Sequence, residues 1–376
     1  MASAFLHGNG EEKSSLTRGR RIGRVILTAF AVIAAVILAA VLCVLFIFRR
    51  ELGSVWSLQK QDDFYYTMDY KTDYGLDEFL ESGARTDSEL AGFVVKKLMT
   101  GLPVEISVPD LGCSTFAAET SEGEKLFGRN FDNKQAAYAL VHTDPEEGYE
   151  SISMVNLSYI GFKDGSSVQD KALVLAAPYI PLDGVNEAGL AIGVLQLFNE
   201  PTVQETGKTP ITTTSAIRMV LDKAPTVEEA IGLLEQYYMH SSANAPYHFQ
   251  IADASGDSAT VEYVDNVMSV IRAEEGEKLA TTNFVLTPGA SYGDGKGQDR
   301  WEILTEGLKE SGGVLTEDEA MGLLEAVAQD KMEDGVFSGT LWSGVYNLEK
   351  RTLMLSCNRD YETVRCYGVD GEEIEE

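Results

Sequence analysis

The chain has 376 residues and a formal net charge of -29, from 59 acidic and 30 basic residues. This length suits one large domain with an extension, or two small domains. The acidic balance argues against nucleic acid as a partner, because phosphate recognition depends on clustered Lys and Arg side chains. A solvated acidic surface is the simplest explanation of the charge.

The first element in chain order is an apolar run from Val25 to Phe48. A helix rises about 1.5 Å per residue, so this run can cross a hydrocarbon core of about 30 Å. A secretory signal has a shorter apolar region, of about 7 to 15 residues, whereas Arg49-Arg50 follows this run directly. We therefore predict an uncleaved transmembrane helix over residues 25–48. Arg20-Arg21 also fits a twin-arginine export signal, but the residues after this pair match that signal poorly.

The distribution of basic residues predicts the orientation of this helix. Lys13, Arg18, Arg20, Arg21 and Arg24 precede it, and Arg49, Arg50 and Lys60 follow it. The positive-inside rule places the basic tail, residues 1–24, in the cytoplasm. We expect a single-pass protein of the cell membrane, with the lipid bilayer as the partner of residues 25–48 and the rest of the chain extracytoplasmic.

An acidic, Tyr-rich connector follows over residues 51–112. Apolar residues recur at helical spacing in its second half, and Gly101-Leu102-Pro103 ends the pattern. They are Leu76, Phe79, Leu80, Leu90, Phe93, Val94, Leu98 and Met99. This half of the connector is therefore predicted to be helical.

Strand patterns dominate from Cys113 onward. Strands are predicted near 113–119, 125–131, 151–159, 172–177, 188–195, 247–252, 258–264, 267–272, 341–346, 352–357 and 363–368, and helices near 213–223, 226–238, 299–308 and 317–328. This order predicts an α+β domain over residues 113–376, with a largely antiparallel sheet that the helices cover.

The four cysteines differ in their surroundings. Cys43 lies in the apolar run and is most simply a small apolar residue. Cys357 and Cys366 flank a predicted turn and can either form a disulfide or remain two buried thiols. Cys113 has no obvious partner, and no Cys or His spacing indicates zinc. A lone thiol of this kind indicates a nucleophile.

Cys113 begins a predicted β-hairpin whose turn is Ser121-Glu122-Gly123. A turn centred there sets Cys113 opposite about Phe131 by antiparallel register. Arg129 and Asp132 then flank the thiol. The hairpin therefore brings together a thiol, a guanidinium and a carboxylate.

A thiol hydrolase also needs a proton acceptor and donors for the oxyanion. His248 is one candidate for the acceptor, and it is explained equally well as a buried core histidine. A second solution is cleavage of the Gly112–Cys113 bond. The freed α-amino group, with a pKa of about 8, is then a base beside the thiol. Glycine before the nucleophile offers little steric obstruction to such a cut.

Gly112-Cys113 and Leu126-Phe127-Gly128-Arg129-Asn130-Phe131-Asp132 resemble the choloylglycine hydrolase family of N-terminal nucleophile hydrolases, which includes bile salt hydrolases, penicillin V acylases and acid amidase-like enzymes. Three later segments match in the same order, namely 183–190, 281–283 and Asp299-Arg300. The resemblance covers Cys113 to about Gly368. It implies a four-layer αββα sandwich.

The resemblance also implies a role for each matched residue. Cys113 would be nucleophile through its sulfur and base through its α-amine. Arg129 would favour the thiolate, and Asp132 would hold the amine. Asn283 would donate to the oxyanion, and Arg300 would complete the charged group.

Two further residues are candidates for substrate or oxyanion contacts. Gln196 stands where bile salt hydrolases have Asn and penicillin V acylases have Tyr, and its amide can still donate to an oxyanion. Asn186 belongs to the matched segment 183–190. The long segment before Cys113 resembles the acyltransferase and propeptide-bearing amidase branches of the family.

The resemblance implies a hydrolase of linear, non-peptide amides that acts through a thioester and needs no metal or organic cofactor. The apolar run 25–48 would anchor this enzyme to the membrane. Its substrate would be a small N-acyl amide, and the pre-segment would leave or stay bound as a heterodimer after autocatalytic cleavage at Gly112–Cys113. The alternatives are an uncleaved Cys113–His248 thiol hydrolase or acyltransferase, and a non-catalytic, membrane-tethered binding protein with the same fold.

Overall fold

The computed structural model describes residues 8–99, 112–290, 296–333 and 336–374. The chain divides into two compact units, one up to Leu52 and one from Gly53 onward. Helix α1 (Gly8–Ile47) makes up most of the first unit. Its part Arg24–Ile47 is long and apolar enough to cross a membrane, a test that a signal sequence also meets. The predicted helix stop, Gly101-Leu102-Pro103, lies outside the described residues.

Helices and strands follow one another along the rest of the chain. The helices are α2 (Arg49–Ser57), α3 (Leu76–Ser82), α4 (Asp87–Lys97), α5 (Val168–Ala172), α6 (Thr213–Lys223), α7 (Val227–Gln236), α8 (Gln298–Glu310) and α9 (Glu317–Ala326), with 3-10 helices at Leu157–Ile160, Leu173–Tyr179 and Ser242–Asn244. The strands are β1 (Gln59–Lys60), β2 (Tyr65–Tyr70), β3 (Gly112–Glu119), β4 (Lys125–Lys134), β5 (Tyr138–Thr143), β6 (Ser151–Asn156), β7 (Pro181–Asn186), β8 (Leu190–Gln196), β9 (Pro210–Thr212), β10 (Tyr238–His240), β11 (Tyr247–Asp253), β12 (Ser258–Val264), β13 (Val267–Ile271), β14 (Ala280–Thr281), β15 (Asp330–Glu333), β16 (Val336–Asn347), β17 (Thr352–Cys357) and β18 (Arg365–Gly368).

Two large sheets form the centre of the second unit. Within the described residues, one sheet has nine strands in the order β1-β2-β5-β6-β7-β8-β11-β12-β13. The other has seven, in the order β14-β3-β4-β16-β17-β18 with β15 paired to β16. Strand β3 packs against β8 and β11, so the sheets face each other, while α6 and α7 cover the first sheet and α8 and α9 the second. The α+β class and the predicted αββα layers are confirmed.

One predicted strand is wrong. Residues 172–177 are helical, because they belong to α5 and to the 3-10 helix Leu173–Tyr179. A short apolar run does not distinguish a strand from a buried helix, and Pro178 has no N–H for a sheet hydrogen bond. The strand of this region is β7, which starts at Pro181 and is buried along its whole length.

Residues 53–99 of the connector belong to the second compact unit, which begins at Gly53. Strand β2 pairs in parallel with β5 along all six of its residues, Tyr65 to Tyr70. Helices α3 and α4 confirm the predicted helical half, and both bury apolar side chains. The parallel partner of β2 lies far along the sequence, which is why local patterns do not reveal this strand.

The strand register decides the arrangement of the two C-terminal cysteines. Cys366 lies opposite Met354 in the β17–β18 pair, not opposite Cys357. Both cysteines are thiols. Of the two arrangements that the sequence leaves open, the structure has the two thiols.

Burial raises the pKa of the Cys357 thiol to about 12. At pH 8 the reactive thiolate is then only about 10⁻⁴ of this thiol. We expect iodoacetamide at pH 8 to modify Cys357 at least about 100-fold more slowly in the folded protein than in guanidinium. Peptide mass spectrometry measures both rates, with the half-buried Cys366 as the internal comparison. Equal rates for Cys357 in the two conditions would contradict its burial.

Candidate active site

The site begins at the hairpin of β3 and β4. Its register sets Cys113 opposite Phe131 and Gly112 opposite Asp132, in agreement with the predicted turn. A Cβ atom on Gly112 would lie 3.1 Å from the Cβ and Oδ2 atoms of Asp132. A larger residue at this position would crowd the Asp132 carboxylate. Glycine has no Cβ atom, so it permits the close approach of the backbone to this carboxylate.

Cys113 is fully buried, and the loop after β14 contacts its backbone. The N–H of Cys113 donates to Oδ1 of Asn283 over 2.9 Å. Nδ2 of Asn283 donates in turn to the carbonyl oxygen of Gln196 over 2.8 Å. The pairing of β14 with β3 brings Asn283 to this place, because Thr281 lies opposite Thr115.

Arg300, in the first turn of α8, links the backbone of the nucleophile to its neighbours. Its Nη1 atom donates to the Cys113 carbonyl at 2.6 Å and to Oγ of Ser114 at 2.8 Å. Nη2 donates to Oδ1 of Asn283 at 2.6 Å. The same guanidinium lies 3.4 Å from Oδ2 of Asp132. Residues from three separate segments thus meet at Cys113.

Arg129 is held from behind by a fully buried carboxylate. Its Nε atom lies 3.2 Å from Oδ2 of Asp183. Trp342 donates to the same Oδ2 atom, and the Tyr346 hydroxyl donates to Oδ1 of this carboxylate. In the part of the chain that the structure describes, the terminal nitrogens of Arg129 have no hydrogen-bond partner. The guanidinium interacts electrostatically with the Cys113 thiol. Asp183 therefore orients Arg129 toward the nucleophile.

Burial raises the pKa of the Cys113 thiol above its ordinary value, while Arg129 and Arg300 act to lower it. The thiol of the uncut chain is therefore protonated at neutral pH and needs a proton acceptor. Burial also raises the pKa of the Asp132 carboxyl, against the opposing effects of Arg300 and Thr340. The Thr340 hydroxyl donates to Oδ1 of Asp132 over 2.6 Å.

A bulge in β16 brings two of these partners into place. Thr340 lies opposite Asp132, and after the register shift Trp342 lies opposite Phe131. Trp342 stacks on Phe131 with ring centroids 3.9 Å apart. Bulges of this kind redirect side chains near active sites.

Sequence reasoning did not identify several of the residues around Cys113. They are Ser114, Asp183, Thr340, Trp342 and Tyr346. Asp183 opens the matched segment 183–190, so a signal for it was present. The others carry no local signal, because a bulge and long-range packing position most of them.

Asn186 does not have the predicted role at the oxyanion. Its Nδ2 atom donates to the carbonyl oxygens of Leu221 and Ala224, at 2.9 and 2.8 Å. Its Oδ1 atom accepts from the N–H groups of Ala188 and Leu190. The side chain therefore joins the β7–β8 turn to the end of α6, and no donor is left for a substrate.

His248 does not have the arrangement that a Cys–His hydrolase requires. Its Nδ1 atom lies 3.0 Å from Oε1 of Glu262, and its Nε2 atom lies 2.7 Å from the carbonyl oxygen of Thr282. Both ring nitrogens thus face acceptors, and neither is available to take a proton from Cys113. Among the described residues, no group of three or more His, Cys, Asp or Glu side chains is arranged to hold a metal ion.

Comparisons with known sequences point to one family. Residues 113–284 match the family described as linear amide C-N hydrolases, choloylglycine hydrolase family. A penicillin V acylase of Pectobacterium atrosepticum is 38% identical over 94 residues, which are 22% of this chain and 25% of that protein. The chain thus aligns with about a quarter of the length of this curated relative.

Solved structures superpose on part of this chain. A conjugated bile acid hydrolase of Clostridium perfringens superposes with a TM-score of 0.51 and 17% identity, over 70% of this chain and 97% of that one. A penicillin V acylase of Agrobacterium tumefaciens has a TM-score of 0.47 and 19% identity, over 68% and 85% of the two chains. The first of these shows the N-terminal nucleophile hydrolase fold, and the sequence match confirms the resemblance that the motifs indicate.

Proposed function

We propose that this chain hydrolyses a linear, non-peptide amide with Cys113 as nucleophile. The match of residues 113–284 to the choloylglycine hydrolase family of linear amide C-N hydrolases supports this proposal. One observation carries this proposal. Arg129 and Asp132 from the partner strand of the hairpin, Asn283 from the loop after β14 and Arg300 from α8 converge on one buried residue, Cys113. A surface ion pair would not require such convergence, and a buried charge is costly unless it is paired.

The first proposed step is self-cleavage between Gly112 and Cys113. The Cys113 thiol gives its proton to Asp132, which lies opposite Gly112 in the register. The sulfur bonds to the Gly112 carbonyl carbon, the C–N bond breaks, and the Cys113 nitrogen takes the proton. Water then hydrolyses the thioester, which leaves a Gly112 carboxylate and a free amine and thiol on Cys113.

In turnover the α-amine of Cys113 takes the thiol proton, and the thiolate attacks the substrate carbonyl. Arg129 stabilises the thiolate, in keeping with its lowering effect on the pKa of Cys113. Asn283 uses one Nδ2 hydrogen for Gln196, so its second hydrogen is the proposed oxyanion donor, with the Gln196 amide as the other. The amine product leaves with the proton, and water hydrolyses the thioester to release the acid.

The substrate is proposed to be a small N-acyl amide. Conjugated bile acids and penicillin V, which the relatives' names contain, are the first compounds to test, followed by N-acyl amino acids and N-acylethanolamines. A panel varied first in the acyl half and then in the amine half identifies the class. If the full-length chain cleaves none of these amides, a binding protein with the same fold becomes the better explanation.

Residues 53–99 are proposed to stay bound after cleavage, as a second chain of a heterodimer. The hydroxyl of Tyr70 donates to the Leu175 carbonyl at 2.8 Å, and that of Tyr74 donates to Oδ2 of Asp222 at 2.6 Å. Asp222 forms a buried ion pair with Arg218, whose guanidinium also lies over the Tyr74 ring. Loss of the pre-segment would uncover this pair and break the β2–β5 ladder.

We expect the two cleaved chains to copurify and Tyr74→Phe to weaken their association. The variant keeps the ring but removes the hydrogen bond to a buried carboxylate, which costs about 1.5 to 3 kcal/mol. Size-exclusion chromatography of cleaved protein at increasing urea concentrations gives the dissociation midpoint. Tyr66→Phe is the control, because its ring is also buried and contacts Phe162. Separation of the wild-type chains in buffer alone would contradict the heterodimer.

The membrane anchor is proposed from residues 25–48, with residues 1–24 in the cytoplasm and the enzyme outside. Apolar side chains along this helix are exposed, among them Val25, Phe30 and Phe46 at 69%, 68% and 67%. A bilayer would cover them. If the pre-segment stays bound, the anchor holds the catalytic chain at the membrane after cleavage.

A further inference from the structure

The buried pair of His248 and Glu262 is not used by the proposed chemistry, although it lies close to the site. Both side chains are fully buried. They contact residues 282–287, the segment that contains Asn283. The pair is therefore in contact with the segment that carries Asn283.

His248 faces an acceptor at each ring nitrogen. The acceptors are Oε1 of Glu262, at 3.0 Å, and the carbonyl oxygen of Thr282, at 2.7 Å. A backbone carbonyl oxygen can only accept, so Nε2 is the donor in the bond to Thr282. His248 therefore links the Glu262 side chain to the residue before Asn283.

Glu262 holds the other end of the segment. Its carboxylate accepts from the N–H groups of Leu286 and Thr287, at 2.8 and 3.0 Å, and from the Thr287 hydroxyl at 2.8 Å. Burial acts to raise the pKa of Glu262, but these bonds and His248 lower it overall, so the carboxylate is ionised. The Thr282 hydroxyl adds a bond to the Gly297 carbonyl at 2.9 Å.

We propose that His248 and Glu262 are positioning residues that hold residues 282–287 at both ends and so set Asn283 against Cys113. This inference rests on the proposed function, because Asn283 matters only if Cys113 is the nucleophile. Its physical basis is that the Asn283 amide has to satisfy three partners at once, the Cys113 nitrogen, the Gln196 carbonyl and the Arg300 guanidinium. A displacement of about 1 Å can lower a rate about 100-fold, even when the change lies away from the reacting atoms.

The test compares His248→Ala with His248→Gln in the full-length chain. Gln retains an amide donor near the Nε2 position but cannot act as a base. We expect His248→Ala to lower kcat about 10- to 100-fold with little change in KM, and His248→Gln to restore most of the loss. His142→Gln is the matched control. Both ring nitrogens of His142 also face acceptors, the carboxylates of Asp69 and Glu150, and this variant should keep the wild-type kcat.

The kcat values of the two His248 variants distinguish a positioning role from the alternatives. A Gln variant as inactive as the Ala variant would overturn the positioning role and favour His248 as a base. Wild-type kcat in His248→Ala would also overturn it while leaving the proposed function intact.

Hydrogen exchange at the amides of Leu286 and Thr287 gives a readout that needs no activity. We expect faster exchange at these two positions in His248→Ala than in the wild type. If wild-type protein cleaves no amide, the proposed function fails. Unchanged exchange at Leu286 and Thr287 in His248→Ala would separately overturn the proposal that His248 and Glu262 hold residues 282–287.

Discussion

Cys113→Ala is expected to leave the chain uncut at Gly112–Cys113 and to lower amide hydrolysis by at least about 10⁴-fold. Alanine lacks the sulfur atom that is proposed to attack both the Gly112 carbonyl and the substrate carbonyl. Removal of a nucleophile that acts together with its base typically costs this much or more. Intact mass and N-terminal sequencing measure the cleavage, and the amide panel measures turnover.

Two comparison variants sharpen this result. Cys113→Ser retains a hydroxyl of much higher pKa and should cut slowly, if at all. Cys357→Ala removes another buried thiol and should cut normally. A Cys113→Ala chain that is still cut at the same bond would show that another protease does the cutting. A wild-type chain that is active but uncut would rule out the free-amine mechanism.

Asp183→Asn is expected to lower the free energy of unfolding by about 3 to 5 kcal/mol and the rate of amide hydrolysis by at least about tenfold. The Arg129 and Asp183 side chains are fully buried. Removal of one charge of a buried pair leaves the other uncompensated, which has a cost of this size. Arg129 also loses the group that orients it, so it stabilises the thiolate less well.

Tyr346→Phe is the matched control for this variant. It removes one hydrogen bond to the same carboxylate and keeps the charge pair. Such a bond contributes about 1.5 to 3 kcal/mol to the free energy of unfolding. Tyr346→Phe should therefore destabilise the fold less than Asp183→Asn does. Urea unfolding monitored by tryptophan fluorescence compares them, since Trp342 also contacts Asp183. Equal midpoints for Asp183→Asn and the wild type would show that the ion pair does not stabilise the fold.

The hairpin around Cys113 was predictable because its information is local. A turn sequence and alternating strands decide its register, and the structure has Cys113 opposite Phe131. Helices such as α6 and α9 were predictable for a similar reason, since apolar spacing and an N-terminal cap lie within one segment. Strand β7 was not predictable, because a strand that is buried on both faces lacks the alternation of apolar and polar residues.

Asn186 illustrates how a motif can mislead. Asn186 lies in the segment 183–190 that matches the family, yet its side-chain amide joins the β7–β8 turn to the end of α6. Asp183, three positions earlier, is the residue of that segment that reaches the site. Strand alternation alone does not choose between them, because only the packed sheets decide which side chain meets Arg129.

The sequence by itself determined the hairpin, the α+β class, the apolar N-terminal run and, through its motifs, the resemblance to the choloylglycine hydrolase family. These depend on turns, periodicity and residue types within short segments. Only the tertiary structure decided that Asp183 orients Arg129, that a bulge brings Thr340 to Asp132, and that β2 of the connector completes the sheet. Each of these joins residues far apart in the chain, and such contacts form only when both sheets pack around the buried Cys113.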